Sequence, residues 1–271
     1  MNRHIVLVVI IILAPVMAWS KTGHRVVAQI AQNHLTESAL VAVMNLTQGR
    51  DLADFSNWAD EIKQRKPKTK TAHYIADYDE KTLKEHPSYQ ALIQHIDQLT
   101  GNQDDQKKLE SLKWIIHLVA DIHQPLHVGN GKDQGGNQCQ VYWFGSKYPV
   151  KLHYVWDQLL IRQTDYSFSE YARYLNHIDQ ATIESWGLAS IEDWFKESFA
   201  LHESIYPKQY PRSSYCKGYA TESVTSKYPR LYHAYVNDVM PIVNQRLQQA
   251  GIRLAQLLER VYVSTNPKVV L

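Results

Sequence analysis

The chain is poor in several features that would place a protein quickly. Only two cysteines, Cys139 and Cys216, occur in 271 residues. That excludes a disulfide-dense scaffold and leaves the work to a hydrophobic core. Net charge is small: 29 Lys and Arg against 27 Asp and Glu give +2. This excludes a protein that grips nucleic acid mainly through a broad basic surface, but not a local positive site made by metal ions. No apolar run reaches the roughly 20 residues that a membrane span needs. Internal repeats and low-complexity linkers are also missing, which favours one domain. Glycine is sparse at 11, and Gly129, Gly131, Gly135, Gly136 and Gly145 fall close together. One loop-rich stretch is therefore expected, with regular structure elsewhere.

What is present starts with an export signal. Arg3 supplies a positive end, residues 5–13 a short apolar core, and Val16-Met17-Ala18 the residues expected at a cleavage site. Removal of residues 1–18 makes Trp19 the first residue of the mature domain, 19–271. The expected destination is secreted or periplasmic. An oxidising compartment would permit Cys139 and Cys216 to pair, but spacing alone leaves them paired or free. Asn45-Leu46-Thr47 is a glycosylation sequon wherever the source cell glycosylates.

Hydrophobic residues make up 44% of the chain, enough for a sizeable core. Helical spacing runs through residues 23–35, then from a Thr36 cap to about 46, then 52–64, 88–99 and 104–122. A hairpin is expected from 140–144 and 148–152 around Gly145-Ser146. Helical spacing returns over 153–162, 168–177, 179–186 and 191–205. A long helix over 228–249 with a bend at Pro241 and a short one over 252–261 complete the chain. The fold class is all-α: a single-domain multi-helix bundle with a small β-hairpin and loop excursion around 129–152. A monomer with no stable protein partner is expected.

The chemistry concentrates in His117-Leu118-Val119-Ala120-Asp121-Ile122-His123-Gln124-Pro125-Leu126-His127. Three imidazoles and a carboxylate in an apolar run are costly to bury unless something binds them. On a helix His117 and Asp121 share a face, and their donors suit zinc. Asp121 has two oxygens and can bridge two ions. Pro125 should end the helix and redirect His127. His153 and Asp157 repeat the His-x3-Asp spacing. With His127 they make three ligands, leaving a coordination position open. His24, Asp60 and His73 are weaker candidates by themselves, each readable as a surface or satisfied core residue. A free α-amine at Trp19 can join its own carbonyl as a chelate once deprotonated.

In this order the residues resemble the trinuclear-zinc, single-strand-specific nuclease and 3′-nucleotidase family of the phospholipase C/nuclease superfamily. The matching elements are Trp19-x3-Gly23-His24, Trp58-Ala59-Asp60, His73-Tyr74-Ile75, the 117–127 segment, Gly135-Gly136-Asn137 and Leu152-His153-x2-Trp156-Asp157. The resemblance implies three Zn2+ per chain. Asp60, His73, His117 and Asp121 would hold one. The Trp19 amine and carbonyl, His24 and the second oxygen of Asp121 would hold another. His127, His153 and Asp157 would hold the third. It implies hydrolysis of single-stranded DNA and RNA and of 3′-nucleotides by a zinc-activated water, leaving 5′-phosphates. Asp60 would orient the water, Lys63 and Asn137 would meet the phosphate, and Tyr74 would stack a base. His123 belongs to the motif with no metal of its own and is expected to support the ligands. The chain departs from the family at Ala76, where the related proteins carry a base-contacting Asp, and at Lys151, where Asn is common. Two other readings stay open: a zinc phospholipase C of the same superfold, whose last ligand is typically Glu, and a non-catalytic zinc-binding protein.

Overall fold

The computed structural model describes residues 19–63, 65–219 and 228–263. The export signal read over residues 1–18 lies outside them. Helices dominate, and the first five run α1 Lys21–Asn33, α2 Glu37–Thr47, α3 Trp58–Lys63, α4 Pro87–Thr100 and α5 Asp105–Ile122. Thr36 caps α2 as the sequence offers, accepting from Ala39 N–H; Ser20 accepts from Gly23 N–H and Asp104 from Lys107 N–H at the starts of α1 and α5. From Leu112 to Ile122 all but Lys113 are buried on α5. It is the axis of the molecule, in contact with α1, α2, α3 and α4. Its buried polar residues, His117 and Asp121, are therefore held from several sides.

Pro125 acts as expected. The helix ends at Ile122 and a 3₁₀ turn, Pro125–His127, changes the chain's direction. A hairpin follows, β1 Gln140–Trp143 antiparallel to β2 Val150–Lys151, with Gln140 opposite Lys151. A third strand, β3 Arg230–Leu231, adds parallel to β1. It is too short to show alternation, which is why its sequence gives no sign of it. Cys139 and Cys216 form a disulfide with Cα atoms 3.9 Å apart, closing the hairpin's base onto a distant segment.

After β2 the chain runs through α6 Leu152–Tyr154, a π-helical turn Val155–Leu159 and α7 Leu160–Arg162. Then come α8 Phe168–Leu175, α9 Gln180–Gly187, α10 Ile191–Ala200, α11 His202–Ile205 and α12 His233–Tyr262. Among the described residues no helix is long and apolar enough to cross a membrane.

Three expectations need correction. The expected helix 52–64 is a 3₁₀ turn, Leu52–Asp54, followed by α3. The break frees the Ser56 carbonyl for His117. The expected helix 191–205 divides into α10 and α11, and His202 there meets the Pro125 carbonyl through Nε2 at 2.9 Å. The two expected C-terminal helices are one, α12, with Pro241 inside it. Gly251 is no break: a Cβ there would come 2.5 Å from Ile30 Cγ2. It is glycine because α1 lies against α12 at that point.

Candidate metal centre

Six stretches of chain bring nine donor residues together. Trp19 and His24 come from the start of α1, Asp60 from α3, His73 from the end of a 3₁₀ stretch, Pro67–Ala72, and His117 and Asp121 from α5. His127 follows the Pro125 turn, and His153 and Asp157 lie one turn apart beyond β2. All nine are buried. The π-helical turn at Asp157 is a type of irregularity that recurs at functional sites.

Asp121 sits at the centre. Its Oδ1 is 3.3 Å from His24 Nε2 and 3.4 Å from His127 Nδ1. Its Oδ2 is 3.0 Å from His73 Nδ1 and 3.1 Å from His117 Nε2. Each oxygen thus faces a different pair of imidazoles. Asp60 Oδ1 is 3.8 Å from His73 Nδ1, 3.7 Å from His117 Nε2 and 2.6 Å from Lys63 Nζ. The Trp19 carbonyl lies 2.5 Å from His24 Nδ1, and the His24 and His117 rings stack at 4.1 Å. In the other cluster, Asp157 Oδ2 is 3.0 Å from His153 Nε2, and Asp157 Oδ1 is 3.7 Å from His127 Nε2.

Ligand atoms fall into three compact groups of side chains: His24, His117 and Asp121; Asp60, His73 and His117; and His127, His153 and Asp157. The first two share His117 at their border, and Asp121 contacts both. A fourth grouping, Asp133 with Cys139 and Cys216, offers no thiolate, because both sulfurs are in the disulfide.

The imidazoles are oriented from behind by carbonyls. His117 Nδ1 meets the Ser56 carbonyl at 2.8 Å, His127 Nδ1 the His73 carbonyl at 3.1 Å and His153 Nδ1 the Gly135 carbonyl at 2.6 Å. Such contacts leave Nε2 for a metal. Gly135 has φ +60°, and a Cβ on it would lie 2.1 Å from the Leu126 carbonyl oxygen, so no other residue fits there without displacement. Gln124 was not singled out by sequence reasoning. It donates from Nε2 to Asp157 Oδ1 at 2.7 Å and accepts from Leu126 N–H. The only sequence signal for it was its place inside the 117–127 segment.

Burial pulls the His117 imidazole down, but Asp121 and Asp60 outweigh it and hold the group up at about 9. Burial raises Asp157, yet His153 and the hydrogen bonds from His127 and His153 bring it to about 2. His73 is pushed down to about 4, burial being the main cause. Asp60 Oδ2 and His73 Nε2 are buried without a hydrogen-bond partner. The Asp60 oxygen belongs to the cluster, where an orphaned carboxylate oxygen is costly and a divalent cation would satisfy it, whereas His73 faces the cluster through Nδ1. Nitrogen and oxygen donors without sulfur fit zinc.

A cleft of about 280 Å³ opens onto this cluster, lined by Lys63, His73, Tyr74, His127, Asn137 and His153 among others. Tyr74 is 37% exposed and available for contact. Asn137 donates to the Gln134 carbonyl, and its Oδ1 is buried without a partner. Ala76 and Lys151, the two departures noted above, also line the cleft.

His123 faces elsewhere. Its Nδ1 donates to the Val119 carbonyl at 2.7 Å, and its Nε2 meets Arg253 Nη1 at 2.9 Å. Arg246 donates to its carbonyl, and both arginines bind Glu197. Burial and the two arginines keep this imidazole far below its usual range. Its contacts brace the end of α5 and α12 rather than any of the nine donors.

A helical frame carrying adjoining His/Asp clusters beneath a lysine-edged cleft defines a class suited to metal ions and anionic ligands. The comparisons narrow it: the S1/P1 nuclease family model matches residues 19–263, and the chain belongs to that family. It is 31% identical to Endonuclease 4 of Arabidopsis thaliana over 284 residues, 93% of this chain and 91% of that protein. Endonuclease 3 of the same plant is 30% identical, covering 91% of this chain and 90% of that protein. Nuclease S1 of Aspergillus oryzae is 30% identical over 155 residues, 51% of this chain and 53% of that protein.

Proposed function

We propose that this nuclease is an exported, zinc-dependent endonuclease and 3′-nucleotidase acting on single-stranded DNA and RNA. The observation that carries the reading is Asp121, with Oδ2 turned to His73 and His117 and Oδ1 turned to His24. Three Zn2+ would be held by Asp60, His73, His117 and Asp121; by Trp19, His24 and Asp121; and by His127, His153 and Asp157. Once bound, the ions supply Lewis acidity, acidifying water and taking up charge on phosphate oxygens.

The chain's own residues do the rest. Asp60 orients the attacking water, with Lys63 fixing that carboxylate at 2.6 Å. Lys63 and Asn137 meet the phosphate from the cleft wall. Water adds to phosphorus, the P–O3′ bond breaks, and the phosphate stays on the 5′ side of the downstream nucleotide. Tyr74 offers a ring for an unstacked base, which a duplex does not readily present. Gln124 holds Asp157 in place.

Export is supported by the disulfide and by a family match that begins at Trp19. The chain is proposed to act as a monomer. Hydrolysis of single-stranded DNA, 3′-adenylate and phosphatidylcholine by the mature chain tests the reading. Cleavage of the first two is expected. Lipid hydrolysis without nuclease activity would replace the reading with a phospholipase C, and binding of zinc with no hydrolysis would make this a zinc-binding protein.

A further inference from the structure

We infer that residues 65–70 are a docking strap for the sugar–phosphate backbone of a single-stranded polynucleotide, leading it into the cleft beside His73. The inference rests on the nuclease reading and adds the polymer, as distinct from a mononucleotide, as the ligand of a surface outside the donor cluster.

Lys63, Arg65, Lys66, Lys68 and Lys70 fall within eight positions, with no Asp or Glu from 62 to 76. In a chain of net charge +2 this is a strongly local concentration. Arg65, Lys66, Lys68 and Lys70 are exposed. Lys84, Lys107 and Lys196 each meet a carboxylate, whereas among the described residues no ion pair engages Arg65, Lys66, Lys68 or Lys70.

The strap is fixed in shape. Pro67 opens the 3₁₀ stretch, Thr69 Oγ1 donates to the Lys66 carbonyl at 2.8 Å, and His73 N–H donates to the Lys70 carbonyl at 3.3 Å. The last bond ties the strap directly to a donor residue. Lys70 lines the cleft together with Lys63 and Lys151, while Arg65, Lys66 and Lys68 lie outside it. A mononucleotide's single phosphate fits within the cleft and leaves the outer cations without a ligand. A polymer carries further phosphodiesters past the reacting one. Lysines bind such groups as point charges, without reading bases.

The test is Arg65→Gln/Lys66→Gln/Lys68→Gln in the full mature chain. Its substrates are an oligothymidylate of about 20 nucleotides and 3′-adenylate, over about 50 to 200 mM salt. Anisotropy of the end-labelled oligonucleotide in chelator gives binding without cleavage. Oligonucleotide kcat/KM should fall about tenfold, through KM, with a log–log salt slope shallower by about 2. Activity on 3′-adenylate should be unchanged, and Lys66→Arg/Lys68→Arg should behave as the parent. Equal losses on both substrates, no loss on either, or an unaltered salt slope would overturn the strap. If the parent cleaves neither substrate, the nuclease reading fails. The strap is then judged by anisotropy: weaker binding by the triple variant supports it, and equal binding overturns it.

Discussion

The Ser56 carbonyl lies 2.8 Å from His117 Nδ1 and thereby turns Nε2 of that ring toward Asp121 and Asp60. In the ion-free chain a proton occupies Nε2. Burial opposes it, but the two carboxylates hold the imidazole up at about 9, above its unfolded value of 6.5. A raised value stabilises the folded chain fully below 6.5, and that contribution is lost as pH climbs through about 9. Chelator-treated protein should therefore lose Tm between those limits, while the Nδ1–H bond to the Ser56 carbonyl is kept. Zinc must displace the same proton, so titration calorimetry at neutral pH should show proton release on loading. A flat Tm across that window and no proton release would contradict this account of His117.

Gly135 ties backbone geometry to the third donor cluster. Its carbonyl meets His153 Nδ1 at 2.6 Å, its φ is +60°, and a Cβ would lie 2.1 Å from the Leu126 carbonyl oxygen. Gly135→Ala should cost about 1–3 kcal/mol through backbone strain and displace His153. Thermal melts and metal analysis check this: lower Tm together with loss of one zinc is expected.

Much of this site was legible before any fold was known, and the reasons are physical. His117, Asp121, His153 and Asp157 sit at helical spacing in apolar surroundings, a pattern a core does not retain without a ligand. Thr36 caps the helix that its side chain promised. What stayed hidden depends on tertiary contacts. The break before α3 is coupled to a carbonyl bond with His117, 61 positions away. The break expected between 249 and 252 is absent, and Gly251 marks instead the closeness of Ile30. His123 looked like part of the metal-binding motif, yet its partner is Arg253, 130 positions on. Residue spacing along one chain cannot announce such meetings.

The Cys139–Cys216 disulfide closes a loop with a sequence separation of 77. It anchors the segment after Gly135-Gly136-Asn137. Replacing both cysteines by serine should lower stability by about 4 kcal/mol on chain-entropy grounds. Urea unfolding would measure it. A loss below about 1 kcal/mol would mean that the bridge does little to restrict the unfolded chain.

On the proposed reading Trp19 would contribute through its α-amine as well as its carbonyl. A chain that retains residues ahead of Trp19 has an amide there in place of an amine, and an amide nitrogen is a poor donor. Such a chain should bind the zinc at Trp19 poorly and lose about 10- to 100-fold in hydrolysis, the scale of lost metal-site interactions. Full activity with residues 1–18 still attached would remove Trp19 from the donor set.

The central claim is that the buried histidines and aspartates around Asp121 and Asp157 hold zinc, and that this zinc drives cleavage. Metal content of the mature chain, measured alongside hydrolysis of single-stranded DNA before and after chelation, tests it most directly. The account predicts three zinc ions per chain, activity abolished by chelation and activity restored by zinc. Undiminished cleavage by a chain stripped of metal would contradict it.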